Sequence, residues 1–268
     1  MNDPGTPLTR WWGELTGLVL PATCAGCGTP RTALCGRCRA ELLGPRARPA
    51  RPSPTPRGLP VVHAAAPYRD AVRATLLAHK ERGALGLAAP LGKALAGAVW
   101  EGVGGGEGAH PHPDPTPQPT PPTPLHLIPL PSTRAAIRSR GHDHARRLAL
   151  AAARELRRAG LPARVVAVLR QRRAVADQAG LSAREREANL AGALGVRRGA
   201  GALLAGAGVV LVDDLMTTGA SLAEATRALR AAGVENRISA AVVAAAVDSF
   251  ELRRNPPGSG IAAGENEG

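Results

Sequence analysis

Residues 209–212 (Val-Val-Leu-Val) form an unbroken apolar run that stops at two acids, Asp213 and Asp214. A short β-branched run without polar alternation predicts a parallel strand buried on both faces. Three more strand-like runs occupy 125–128, 164–169 and 238–247. Helical periods cover 71–80, 87–99, 143–159 and 222–232, and Gly83, Gly160 and Gly233 stand where helices stop. Within the polar stretch 170–189, Ser182 and Glu185 have the spacing of a capping box for a short helix. Strand, helix, strand, polar loop, strand, loop, helix, strand predicts an α/β fold with a doubly wound parallel sheet.

The rest of the chain divides around that core. Residues 1–43 hold a short amphipathic helix beginning near Trp11-Trp12 and all four cysteines. A Pro/Arg-rich stretch, 44–60, reads as a linker, and 61–250 as the main domain. Within it, 101–124 is a Gly/Pro-rich insertion with no apolar period, expected to be disordered, as is the tail 251–268.

The acids gain meaning from their neighbours in the chain. A strand of this kind delivers Asp213 and Asp214 to the carboxyl edge of the sheet, where open α/β folds bind ligands. Thr217, Thr218, Gly219, Ala220 and Ser221 then form a small polar turn leading into a helix. Unpaired N–H groups at that helix start favour a phosphate, whereas two carboxylates accept hydrogen bonds from a vicinal diol. Phosphate on one side and diol on the other describe a sugar phosphate. A receiver domain carries its acids near its start, unlike this chain. A Walker B strand needs a phosphate-binding lysine loop upstream, and the nearest candidate, 86–94, ends in Ala94 where a hydroxyl is required.

The cysteines form two C-x-x-C pairs, Cys24/Cys27 and Cys35/Cys38. Two tight knuckles of thiolates suit tetrahedral zinc, and a closed four-cysteine site is structural rather than catalytic. No apolar stretch reaches the ~18–20 residues of a membrane span. Together with a start that lacks the features of a signal peptide, this predicts a cytoplasmic protein.

The formal net charge of the 268 residues is +13, and only Lys80 and Lys93 among the basic residues are lysine. Residues 132–198 alone hold 16 basic and 5 acidic groups, so a polyanion, pyrophosphate or nucleic acid, is the partner to expect there. The guanidinium fork suits phosphate oxygens, so the arginines of this stretch are suited to such a partner.

The run Asp213–Ser221 resembles the motif with which type I phosphoribosyltransferases bind 5-phosphoribosyl-1-pyrophosphate (PRPP). That resemblance implies that Asp213 and Asp214 hold the ribose hydroxyls while Thr217, Thr218, Gly219 and Ser221 wrap the 5-phosphate. The whole order of parts, from the paired C-x-x-C through Tyr68, Lys80, Gly83, Pro129-Leu130-Pro131 and Arg140-Gly141 to Gln178, Leu181, Ser182, Glu185, Arg186 and Asn189, is similar to the ComF family of competence proteins. By that resemblance, the turn from Leu130 to Arg134 is the pyrophosphate loop and 178–189 the flexible loop that closes over the sugar, which makes Arg134, Arg140 and Arg186 the candidates to neutralise pyrophosphate. The family usually reads Arg-Gly-Phe-Asn-Gln where this chain has Arg140-Gly141-His142-Asp143-His144. Ordinary polar contacts are expected of His142 and His144 rather than a metal pair.

The resemblance and the charge pattern together imply two functions. One is phosphoribosyl transfer to a nitrogen nucleophile, with Mg²⁺ bridging PRPP oxygens beside Asp213 and Asp214. The other is a single-stranded-DNA-binding competence factor that acts with other DNA-uptake proteins and keeps the transferase fold as a scaffold or PRPP sensor. With five aromatic residues in the chain, such binding would be electrostatic rather than built on base stacking.

Overall fold

The apolar runs become the strands of one sheet in the computed structural model, which describes residues 23–44, 46–104, 123–175, 180 and 182–250. The expected helix at Trp11-Trp12, most of the 101–124 insertion, Gln178 with its neighbours, and the tail from 251 lie outside the described residues. In chain order the elements are α1 (Gly36–Leu43), β1 (Arg48–Pro49), β2 (Val62–Pro67), α2 (Asp70–Glu81), α3 (Ala88–Gly102) and β3 (Leu125–Pro129). They continue with α4 (Arg134–Arg140), α5 (His144–Arg158), β4 (Ala163–Val165), β5 (Leu169–Gln171), α6 (Ala183–Leu190) and β6 (Leu194–Val196). The last are α7 (Ala200–Leu204), β7 (Gly208–Met216), α8 (Ala220–Ala231) and β8 (Ile238–Ala245).

The main sheet has the order β1-β2-β8-β7-β3-β4, parallel throughout except for the edge pair β1/β2. The apolar run in β7 is explained by burial on both sides. Val210 and Val212 pack with helices on one face, while Val209 and Leu211 belong to the core on the other. This period of two is the strand's own geometry. On the first face α3 and α5 approach so closely that a Cβ on Gly92 would sit 2.3 Å from the Ala151 methyl. Glycine is therefore the side chain this crossing admits.

The route of the chain fixes where a ligand can sit. From β3 it crosses through α5 to β4 on one side, whereas β7 and β8 lie on the other side of β3. The strand order thus reverses between β3 and β7, and the crevice outside their carboxyl ends is the binding position of open α/β sheets.

Three segments differ from expectation. The run 164–169 is split between two sheets: Val166 N–H donates to Leu127 O, and Val168 N–H turns back onto Val166 O. That tight turn sends β5 away to pair with β6. Residues 46–60, expected as a linker, lie against the domain. Ala50 is buried, Arg51 N–H donates to Ser249 O, and the Arg48 guanidinium lies 4.7 Å from the centre of the Phe250 ring. Scattered apolar positions such as Ala50 and Leu59 suffice for a proline-stiffened strand to pack. The third is α4, a short helix in the stretch after β3 where no helical period was expected. The cysteine module also shares the main core, because Cys24, Leu34, Cys38 and Leu42 pack with Leu76 and Leu95.

Candidate active site

β7 carries Asp213 and Asp214 to the crevice between β3 and β7, and the chain then bends through Thr217, Thr218 and Gly219 into α8. Gly219 has φ +76° and caps the helix, and a Cβ there would press on Leu59 at 3.0 Å and Pro52 at 3.3 Å. The packed segment 46–60 therefore braces the turn from outside. A cavity of about 500 Å³ opens over it, lined by Lys80, Leu130, Ser132, Arg140, His144, Asp213, Asp214, Thr217 and Ser221 among others. Leu130, in the turn after β3, is held by its N–H donating to Val212 O.

The two carboxylates are not equivalent. Asp214 is 5% exposed and pairs with the Lys80 ammonium, Nζ to Oδ2 2.9 Å, while the His144 Nε2 stands 3.7 Å from its other oxygen. Burial works against its charge, but His144 and Lys80 outweigh burial and hold its carboxyl below the usual range. Asp213 accepts the N–H of Asp214 at 2.8 Å and, among the described residues, has no ion pair. Burial, together with the Asp214 charge beside it, pushes its carboxyl well up. Asp213 is thus the acid that a cation or a hydroxyl donor would relieve.

The remaining expected residues are distributed around the cavity. Arg140 lines it and pairs with Glu81, Nε to Oε2 2.9 Å. Arg186 comes from α6 to the turn after β7 instead, donating to Thr217 Oγ1 at 3.3 Å. The capping box of Ser182 and Glu185 forms as expected and starts α6. Of Arg134 only the backbone is described, as the first residue of α4 behind the Thr133 cap. His142 and His144 do not act as a pair. His142 places both ring nitrogens against carbonyl oxygens, of Arg140 at 2.9 Å and of His79 at 3.2 Å, so it ties α2 to the end of α4. His144 turns to the acids.

Lys80 and His144 are thus site residues that motif reading missed as such. Lys80 was visible only as a landmark, and its meaning comes from contact with an acid 134 residues away. Glu224 is a further omission. It is buried on α8, accepts the Leu194 N–H at 3.0 Å and holds Arg227, fastening the two-stranded β5/β6 sheet beside the cavity.

Behind Lys80 lies His79, 1% exposed, with no hydrogen-bond partner at Nε2 among the described residues. Burial, with the neighbouring imidazoles, brings its pKa down to about 4. The unfolded chain would bind that proton near the ordinary value of about 6.5. His79 therefore leaves stability intact above that value and lowers it, by roughly 3 kcal/mol, as pH falls toward 4. Denaturant midpoints compared at pH 7.5 and 4.5 should drop less in His79→Leu than in the unmutated protein. Equal drops would refute the assignment.

The four cysteine sulfurs lie within 4.8 Å of one another. Cys27 and Cys35 are 3.6 Å apart, near the edge of about 3.8 Å expected for a tetrahedron with Zn–S bonds of about 2.3 Å. The Cys35 N–H points at Cys24 Sγ, 3.3 Å away. Although burial opposes it, backbone N–H groups of Cys35, Cys27 and Gly26 bring the Cys24 thiol down to about 6. Burial keeps Cys38 well up in the protonated range until a metal takes it. The site fits zinc by distance, donor type and N–H support.

No helix among the described residues is long and apolar enough to cross a membrane. No curated protein matches the chain. A family model described as phosphoribosyl transferase domain matches residues 143–259. That span runs from the cap of α5 past β8 and contains both acids and the turn that follows them, and over it the α/β fold with its mostly parallel sheet is similar to a phosphoribosyl transferase domain.

Proposed function

We propose that this protein binds PRPP in the β3/β7 crevice and transfers its phosphoribosyl group to a nitrogen acceptor, in a ComF-type role tied to DNA uptake. One observation carries the reading: a carboxylate pair and the hydroxyl-bearing start of α8 face the same cavity at the strand-order switch. Asp213 and Asp214 would accept the 2- and 3-hydroxyls of the ribose. Thr217, Thr218, Ser221 and the N–H groups from Gly219 and Ala220 would take the 5-phosphate. Arg140, across the cavity, and the turn from Leu130 to Arg134 would face the pyrophosphate.

In the transfer, the C1–O bond to pyrophosphate breaks and its electron pair leaves with the pyrophosphate. The acceptor nitrogen forms the new bond to C1 with its lone pair and gives up its proton to the departing pyrophosphate or to solvent. Catalysis of this kind is positioning plus stabilisation of separating charge. The carboxylates and the His144 nitrogen lie within 4.8 Å of one another, a donor set that fits a divalent ion beside the ribose. Mg²⁺ bound with PRPP would supply charge neutralisation on the pyrophosphate oxygens. Calorimetry with PRPP and Mg²⁺, followed by a screen of bases for PRPP-dependent pyrophosphate release, tests the reading. No heat with PRPP would sink it. Heat without release from any base would leave a PRPP sensor.

The alternative, a single-stranded-DNA-binding role, is supported by a second cavity of about 1100 Å³ between the cysteine module and the domain, lined by Arg37, Arg46, Arg48 and Arg69. Three of these arginines already face acids: Glu41, Glu101 and Asp70. Polyanion binding there would have to compete with those pairs and would weaken steeply with salt.

A further inference from the structure

The two nitrogens of the His144 ring have different partners: Nδ1 meets the Ser132 hydroxyl and Nε2 faces Asp214. Asp143 caps α5, its Oδ1 accepting the Arg146 N–H at 3.1 Å. The Ser132 hydroxyl donates to that same oxygen at 3.4 Å, which leaves the Ser132 oxygen to accept from His144 Nδ1–H at 3.5 Å. With Nδ1 engaged by Ser132, Nε2 is the ring nitrogen turned toward Asp214 Oδ1. Such an outer chain of acceptors is how proteins fix the tautomer and orientation of a metal-binding histidine.

The distances agree. Nε2 and Oδ1 are 3.7 Å apart, too long for a hydrogen bond. Two metal bonds of about 2.1 Å each, meeting at an obtuse angle, span that gap. Lys80 occupies Oδ2 of Asp214 and leaves Oδ1 free for this use. Lys80 pairs with Asp214, and among the described residues no ion pair reaches Asp213. A buried imidazole nitrogen beside two carboxylates is a donor set for Mn²⁺ or Co²⁺ more than for Mg²⁺, which prefers oxygen and retains its waters.

We propose that His144, Asp213 and Asp214 form a protein-borne site for a transition-metal dication of the Mn²⁺ class, one that binds the ion before any sugar phosphate arrives. This goes beyond PRPP binding, since the ion is held by the chain's own side chains. The site assigns to His144 a direct bond to the metal and to Ser132 and Asp143 the orientation of its ring.

The test uses the full chain with its cysteine site filled by zinc and Mn²⁺ as the probe, without PRPP. Titration followed by electron paramagnetic resonance should show about one Mn²⁺ bound per chain. Pulsed measurements on the unmutated protein should show coupling to a directly bound ¹⁴N. His144→Gln should remove that coupling and weaken Mn²⁺ about tenfold or more. Asp213→Asn should weaken Mn²⁺ while keeping the nitrogen signal in the fraction still bound. Absence of Mn²⁺ binding without PRPP, or nitrogen coupling that survives His144→Gln, overturns the proposal. Because the nitrogen signal is read on the unmutated chain, a variant that fails to fold does not shield the proposal. PRPP calorimetry with Mg²⁺ separates this outcome from the sugar-phosphate reading: heat with PRPP but no Mn²⁺ alone overturns only the metal site, and the reverse overturns only PRPP binding.

Discussion

Replacing both acids, Asp213→Asn with Asp214→Asn, is expected to weaken PRPP binding by about 100-fold or more while leaving affinity for single-stranded DNA nearly unchanged. A hydrogen bond to a charged group contributes about 1.5–3 kcal/mol, and the pair would lose such bonds to the ribose diol. Calorimetry with PRPP and Mg²⁺ reads the first effect, and anisotropy with a labelled oligonucleotide reads the second. The single variants should separate by their cost to the fold. Asp214→Asn leaves the Lys80 ammonium, 29% exposed, without its carboxylate, so the melting temperature should fall. Asp213→Asn removes a carboxylate that burial and its neighbour already disfavour, so the melting temperature should hold or rise at pH 7. Unchanged PRPP affinity in the double variant would show that the diol is bound elsewhere.

Loss of the metal from the cysteine module should have the larger effect on stability. Zinc-finger peptides gain about 10–16 kcal/mol of apparent binding free energy from structural zinc near neutral pH. Cys38, which is 1% exposed, belongs to the same buried core as Leu76 and Leu95 of the main domain. Cys38→Ser should therefore both abolish zinc retention and uncover part of α2 and α3. The expected result is well under one zinc per chain and a melting temperature lower by roughly 5–10 °C. Zinc affinity should also fall with acid, because binding displaces thiol protons and Cys38 holds its proton most tightly. A variant with full zinc content or an unchanged melt would refute a structural role. Glycine at position 26 belongs to the same design, since a Cβ there would lie 2.7 Å from Cys38 Sγ.

The parts legible in the sequence were those whose information is local. The β7 run, the capping box at Ser182, the start of α5 at Asp143 and the turn at Gly219 each depend on a few adjacent residues. Short elements were less legible. β6 and α7 are 3 and 5 residues long, below the length at which an apolar period can be recognised. The stretch 46–60 was misleading because its proline and arginine content suits a linker, whereas its packing depends on Ala50, Leu59 and Pro52 finding the turn at Gly219. His142 and His144, two residues apart in the chain, receive different roles from opposite directions of their rings.

By itself, then, the sequence determined that an acidic pair stands at the end of a buried strand and is followed by a hydroxyl-bearing turn into a helix. Backbone periodicity and helix-start chemistry act over a few residues, so contiguous residues can specify them. The tertiary structure alone decided that Lys80 meets one acid, that Ser132 and Asp214 lie on either side of the His144 ring, and that Asp213 has no ion pair among the described residues. Charge and coordination in a buried site depend on which distant segments shut out water around it, and only the packed chain brings those segments together.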